Sequence, residues 1–378
     1  MTTGTTEPTL PRYAQSSLAA LATSVLRCLG MPDEPNPLQL APAERVCLLL
    51  IDGLGWDLLK AHPAAAPFLS ELAMTGTSLA AGFPATTATS LATLGTGRPP
   101  GQHGVLGYQV AIPGTGRLLN ALHWDQGVDP VKWQPGSTIF DRAASAGIAA
   151  ARISAKAFAR SGLSVATLRG ADFRPANTLG ALVWHAAAAL AAEPRALAVV
   201  YYEDLDRTGH VLGCTSDAWV YQLAHIDKLA EQLAGALPAG TALYVTADHG
   251  MVDVPPSARI DADALPGLRD GVAQLGGEAR ARHVYAAPGA AADVLAAWRE
   301  LLGDRAWVVS RDEAIEAGWF GPVADWCRER IGDVVAAASG VAGVVATRAE
   351  PRESALVGMH GSLTPADQLV PLLTMTTG

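Results

Sequence analysis

The chain is poor in cysteine, in basic residues and in long apolar runs, and each shortage excludes something. Only four of its 378 residues are cysteine, Cys28, Cys47, Cys214 and Cys327, and no two form a CxxC pair. That spacing excludes a dense disulfide framework and a zinc ribbon, so reduced thiols are expected. Lys and Arg number 27 against 36 Asp and Glu, for a formal net charge of −9. A protein that grips nucleic-acid backbone draws most of its affinity from basic surface, so no nucleic-acid partner is expected. The longest apolar stretches, such as residues 46–51, fall far short of a membrane span. Between Met1 and Arg12 no basic segment precedes an apolar run, which argues against a secretory signal. The expectation is a cytoplasmic protein with no membrane contact.

What is present suits a large globular chain. A hydrophobic fraction of 49% supplies a core, and 38 Gly with 25 Pro supply turns without periodicity. The length admits two ordinary domains or one large domain with an insertion. Leu18, Leu21, Val25 and Leu29 share one helical face, and Gly30 is a natural stop. Residues 1–43 are therefore read as an N-terminal helical extension with a polar tail. The continuous apolar run 46–51 reads as a strand buried on both faces, as in a parallel sheet. Segments 196–202, 242–246 and 343–347 look alike, and a helical pattern over 218–237 lies between two of them. Strands alternating with helices predict an α/β fold with a central, mostly parallel sheet.

Ligands of such sheets bind at the carboxyl ends of the strands. There the sequence places Asp52-Gly53, then Glu203, Asp204 and Asp206, then Asp248-His249-Gly250. Asp52 alone is as readily a turn or helix-cap residue. Asp206 and His210 are four apart, so a helical turn would put both on one face, although Gly209 weakens the helix. Asp248-His249 directly after a buried strand offers a hard carboxylate and an imidazole, a pair suited to zinc. His360-Gly361 alone reads as a surface histidine. A hydroxyl-rich segment, Thr86-Thr87-Ala88-Thr89-Ser90, opens a helical stretch. A helix start is a natural seat for phosphate, and a hydroxyl there can attack phosphorus once its pKa is lowered.

Taken in order, Asp52-Gly53, Thr87, Asp206-x-x-x-His210, Asp248-His249-Gly250-Met251 and His360-Gly361 resemble the alkaline phosphatase superfamily. The nearest branch is the nucleotide pyrophosphatase/phosphodiesterase type. The resemblance implies an alkaline-phosphatase-like core with two divalent metal ions, zinc or else manganese. Asp206, His210 and His360 would hold one ion; Asp52, Asp248 and His249 would hold the other, with the Thr87 oxygen bound to it. Thr87 is favoured over Thr86 as nucleophile because the branch places it nine residues before the threonine of a Thr-Gly pair, here Thr96-Gly97. Two positions depart from the branch. Ala88 stands where nucleotide-binding members usually carry Phe, and Ser90 stands where they carry an Asn that donates to a phosphoryl oxygen. Ser90 can still donate, but a preference for nucleotides does not follow.

The implied activity is hydrolysis of a small phosphorylated substrate, as a phosphodiesterase or nucleotide pyrophosphatase. A phosphomonoesterase is the alternative, and would need an extra cation from Arg98, Arg207 or Arg282. A phosphonate-ester hydrolase is another, and an inactive metal-binding relative a further one. The implied core covers 44–254 plus 356–378, with an α+β cap inserted at 255–355. In the cap, 272–275, 281–286 and 306–310 read as strands, and 291–302 and 323–337 as helices. His103 reads as structural. Asn120, His123 and Trp124 read as ordinary loop packing or as pocket lining.

Overall fold

The structure is a computed structural model that describes residues 7–378; the first six residues of the expected polar tail lie outside the described residues. The strand Arg45–Ile51 runs through a seven-stranded sheet and is buried from Val46 to Ile51. Its parallel neighbours are Ala196–Tyr202 and Ala242–Ala247. Beyond Ala196–Tyr202 the parallel order continues through Ala149–Ser154 to Asp172–Pro175. On the other side Leu369–Thr376 runs antiparallel to Ala242–Ala247, and Thr77–Ala80 forms that edge. Two sets of helices flank the sheet. One contains Leu18–Cys28 and Thr87–Thr96; the other contains Leu179–Ala192 and Asp217–Ala236. The fold is α/β with a mostly parallel central sheet, as the alternation of patterns predicts.

Two expectations fail. Segment 343–347 is not a strand of the central sheet: Gly343–Val345 pairs instead with Arg259–Asp261 in a separate two-stranded ladder. Segment 323–337 is not a helix. It forms a 3-10 turn, Asp325–Arg330, and then the strand Val334–Ala338. Gly332 interrupts the helical pattern, and Val334 and Val335 favour an extended chain. Within 255–355 four antiparallel strands are ordered Val272–Glu278, Ala281–Ala286, Val334–Ala338, Ala306–Ser310. The helix Ala291–Leu302 packs on them, and Val294, Trp298 and Leu302 join Val284, Val308 and Val334 in a core of their own. Among the described residues no helix is long and apolar enough to cross a membrane.

Candidate metal centre

Strand register positions the first carboxylates. Ile51 is level with Tyr202 on one side and Ala247 on the other. The next residues, Asp52, Glu203 and Asp248, therefore emerge side by side at the carboxyl edge of the sheet. The chain turns sharply at Gly53, where φ is +76°, and a Cβ there would come within 3.1 Å of the Asp206 Cα. Any larger residue would push the Asp206 helix away from Asp52.

That helix, Asp204–Leu212, puts Asp206 and His210 one turn apart despite Gly209. The glycine is required by packing rather than by the turn itself: a Cβ at 209 would sit 2.3 Å from the Met251 sulfur. Tertiary contact thus overrides a low helix propensity. His249 follows Asp248 directly off its strand. His360 follows the short strand Gly358–Met359, which pairs with Val252–Asp253.

The structure gathers these six side chains into two groups of three. Asp206, His210 and His360 form one, and Asp52, Asp248 and His249 the other; within each, one ligand atom per residue lies within 4.8 Å of the rest. The His249 and His360 rings stack at 3.6 Å between centroids, so the groups adjoin. All three imidazoles are oriented in one manner. Their Nδ1 atoms lie 2.7–2.9 Å from backbone carbonyls, of Gly358 for His210, Gly250 for His249 and Ala85 for His360. A carbonyl only accepts, so each Nδ1 carries a proton and each Nε2 is turned to the carboxylates: His210 Nε2 lies 3.2 Å from Asp206 Oδ2 and His249 Nε2 3.3 Å from Asp52 Oδ1. Tying the far nitrogen to the backbone is the common way of aiming a metal-ligating histidine.

The charges left over also fit a cation. Asp206 Oδ1 and Asp248 Oδ2, one in each group, are buried without a hydrogen-bond partner. Burial and the adjacent Asp52 carboxylate push Asp248 well above the usual carboxylate range. Burial would raise Asp206 likewise, but His210 and His360 hold it below its ordinary value. A buried carboxylate cluster of this kind ionises fully only with positive charge beside it. Orphaned oxygens, Nε2 atoms aimed at the carboxylates and a mixed carboxylate–imidazole set therefore suit divalent ions, one per group.

Thr87 is the first residue of the helix Thr87–Thr96, whose N-cap is Thr86. Its Oγ1 lies 3.2 Å from His249 Nε2 and 3.5 Å from Asp52 Oδ1. The turn before it is pinned to the loop of the last histidine by the Ala85 amide, 2.9 Å from the Gly361 carbonyl. Thr86 makes no capping bond and turns towards Glu278. Ser90 is buried and its Oγ has no partner, yet it does not border the cavity at this site.

His103 has a structural role. Its ring is buried between Thr93 Oγ1 and the Val105 amide, and burial depresses its pKa to about 3, so it stays neutral. Asn120 accepts from the Leu122 and His123 amides, and the Trp124 indole donates to the Val128 carbonyl. None of Asn120, His123 and Trp124 lines the cavity, so loop packing is their part.

Two residues at the site escape sequence reasoning. The Tyr201 hydroxyl donates to Asp52 Oδ2 and orients that carboxylate. Only its place near the end of a central strand could have marked it. Glu278 reaches the site from the hairpin of Val272–Glu278 and Ala281–Ala286, with its Oε2 3.6 Å from His360 Nδ1. Burial pushes its carboxyl up to about 8, against the pull of Thr86, His249, His210 and Arg282. Nothing local in the sequence distinguishes it.

A cavity of about 250 Å³ opens here, lined by Thr87, Asp206, His210 and His360 together with Glu278, Glu350 and Glu353 of the 255–355 region. The model of type I phosphodiesterases and nucleotide pyrophosphatases matches residues 46–363. The chain belongs to that family. It is thereby a phosphoester hydrolase by kinship, in the alkaline phosphatase superfamily. No curated protein sequence matches it significantly.

Solved structures share the fold. Murine ectonucleotide pyrophosphatase/phosphodiesterase 5, as an inactive variant with AMP, superposes with TM-score 0.70 at 19% identity over 87% of each chain. The human counterpart gives 0.68 at 21% identity, again over 87% of each. Phosphonoacetate hydrolase from Sinorhizobium meliloti, in complex with phosphonoformate, gives 0.65 at 21% identity over 88% of this chain and 90% of its own.

Proposed function

We propose that this family member is a two-metal phosphodiesterase with Thr87 as its nucleophile, working on a small phosphorylated substrate. The observation that carries this reading is the cavity lining. It joins Thr87 to Asp206, His210 and His360, and among the described residues no lysine or arginine borders it.

A phosphodiester bears one negative charge at phosphorus, which two dications and neutral donors can balance. A monoester dianion asks for a further cation. Of the arginines that could have supplied one, Arg207 pairs with Asp204 on the surface. Arg282 is buried and committed to Glu350 and the Val344 carbonyl. Neither they nor Arg98 face the cavity.

Bound in the two groups, divalent ions would supply Lewis-acid charge to the phosphoryl oxygens and lower the pKa of a nearby hydroxyl. Asp52, Asp248 and His249 would hold one ion, and Asp206, His210 and His360 the other. The protein's own part is then positional. Thr87 Oγ releases its proton to water and attacks phosphorus from the start of its helix, forming a new O–P bond as the ester O–P bond opposite it breaks. The alcohol leaves with the electron pair and takes a proton from water. A second displacement by water on the phosphothreonine breaks the Thr87–phosphorus link and restores the hydroxyl. First-turn amides of the helix have no intrahelical partner and face the developing charge. Ser90 Oγ lies deeper on the same helix, outside the cavity lining. Residues 255–355 act as the cap that shapes the substrate end, over a core of 44–254 and 356–378. The four cysteines, each buried and free, support a reducing, cytoplasmic setting.

Elemental analysis of the purified protein should find about two transition-metal ions per chain, zinc foremost, as the two ligand sets require. Absence of metal, with no activation by added zinc or manganese, would contradict the reading. On matched substrates, kcat/KM for an aryl phosphodiester should exceed that for the aryl monoester. The reverse order would favour a phosphomonoesterase, and a higher rate on an aryl phosphonate monoester would favour a phosphonate-ester hydrolase.

A further inference from the structure

Arg280 and Asp367 form an ion pair in which neither side chain is exposed. The pairing is two-pronged: Arg280 Nε donates to Asp367 Oδ1 at 2.8 Å, and Nη2 donates to Oδ2 at 2.7 Å. It joins distant parts of the chain. Arg280 stands in the turn between Val272–Glu278 and Ala281–Ala286, and its Nη1 and Nη2 also donate to the Ala342 and Gly340 carbonyls at 2.6 and 3.0 Å. Asp367 lies on the short helix Pro365–Gln368, just past the loop that carries His360. From there it reaches both ligand groups. Its Oδ1 accepts from the Ser362 amide at 3.1 Å, and its Oδ2 accepts from the Thr364 hydroxyl, which fixes the loop after His360. Its backbone carbonyl accepts from the Gly250 amide at 2.9 Å, and the Gly250 carbonyl in turn accepts from His249 Nδ1 at 2.9 Å.

A buried ion pair is a poor source of stability. Desolvating both charges offsets most of their attraction, and apolar residues of the same volume often serve as well. What the pair supplies is direction, because a guanidinium fork on a carboxylate fixes distance and plane together. Here that fixed geometry stands between the 255–355 region and one imidazole of each ligand group. We propose that Arg280 and Asp367 are positioning residues for the metal centre, and that through them the hairpin of the 255–355 region sets the spacing of the two ligand groups. The proposal rests on the two-metal reading given above.

The test compares Arg280→Lys with a thermal control in the full chain. Lysine keeps the buried charge but cannot bond both carboxylate oxygens in the plane of a fork. Val294→Ala truncates the separate core beneath the helix Ala291–Leu302, which lowers Tm without touching the pair. In Arg280→Lys, zinc affinity measured by competition with a chromophoric chelator should fall about tenfold or more at both sites. Amide hydrogen exchange across residues 248–252 and 358–364 should quicken in both segments together. Val294→Ala should leave both readings at wild type. Wild-type zinc affinity in Arg280→Lys, exchange that quickens in one segment only, or the same changes in Val294→Ala would overturn the proposal and leave the pair a plain part of the core. Should Arg280→Lys not fold, Asp367→Asn carries the same readings, since its amide oxygen can still accept from Ser362 while one prong of the fork is lost. If the wild-type protein binds no zinc, the two-metal reading falls, and exchange alone decides. Joint loosening of the two segments in the variant but not in the control would uphold the clamp on the histidines; any other pattern would overturn it.

Discussion

Thr87→Ala should lower turnover of an aryl phosphodiester by at least about 10³-fold while metal content stays at the wild-type level. The six proposed ligands are untouched by the change, and Thr87 is only half-buried at the helix start, so little packing is lost. What disappears is the one hydroxyl within 3.2 Å of His249 Nε2 and 3.5 Å of Asp52 Oδ1. Thr87→Ser should keep part of the activity, since a primary hydroxyl can occupy the same place. Thr86→Ala should be mild. Thr86 makes no capping bond, so its loss should cost under about 1 kcal/mol of stability. Mass spectrometry of enzyme quenched during turnover should find phosphate on Thr87. Phosphate on Thr86, or full activity in Thr87→Ala, would transfer the nucleophile's role to its neighbour.

Asp248→Ala is expected to reduce activity by about 10²-fold or more and to remove metal from the group that contains Thr87's neighbours. The carboxylate is fully buried, and its Oδ1 also accepts from the Gly53 and His249 amides at 3.1 and 3.0 Å. Alanine therefore costs stability as well, about 1–3 kcal/mol for the orphaned donors. Asp248→Asn separates the two effects. The amide oxygen can keep the bonds to both N–H groups while the charge is gone, so Tm should recover and metal should not. His360→Ala should empty the other group, with far-UV circular dichroism near wild type. Wild-type metal content and turnover in Asp248→Asn or His360→Ala would mean that these side chains are not ligands.

The convergence of these side chains is legible for Asp52 and Asp248-His249, which follow buried strands directly, and for Asp206 and His210, which sit on the helix just past a third. A parallel sheet brings strand ends to one edge by register, so a carboxylate one residue past each apolar run has little choice of place. Their order along the chain then carries the family resemblance, and the chain's membership confirms that resemblance at the level of the fold and the family. The strand Ala149–Ser154 was harder to see, since three alanines and an arginine give no alternation.

The remaining decisions belong to contacts between distant segments. Segment 343–347 is apolar enough for a central strand, but which partner it takes depends on chain that no local pattern describes, and it pairs with Arg259–Asp261. Segment 323–337 carries an apolar pattern that serves helix or strand, and antiparallel pairing with its neighbours in the four-stranded sheet selects the strand. Gly209 sits in a helix because Met251 needs the space. Glu278, Glu350 and Glu353 look like ordinary surface carboxylates in one dimension. Only the folding of the hairpin after Val272 and of the 350–356 segment over the strand ends turns them inward. Reaction type thus resides in residues that the sheet must bring together, and is readable along the chain. The charge and shape of the substrate pocket arise from long-range packing, and appear only in three dimensions.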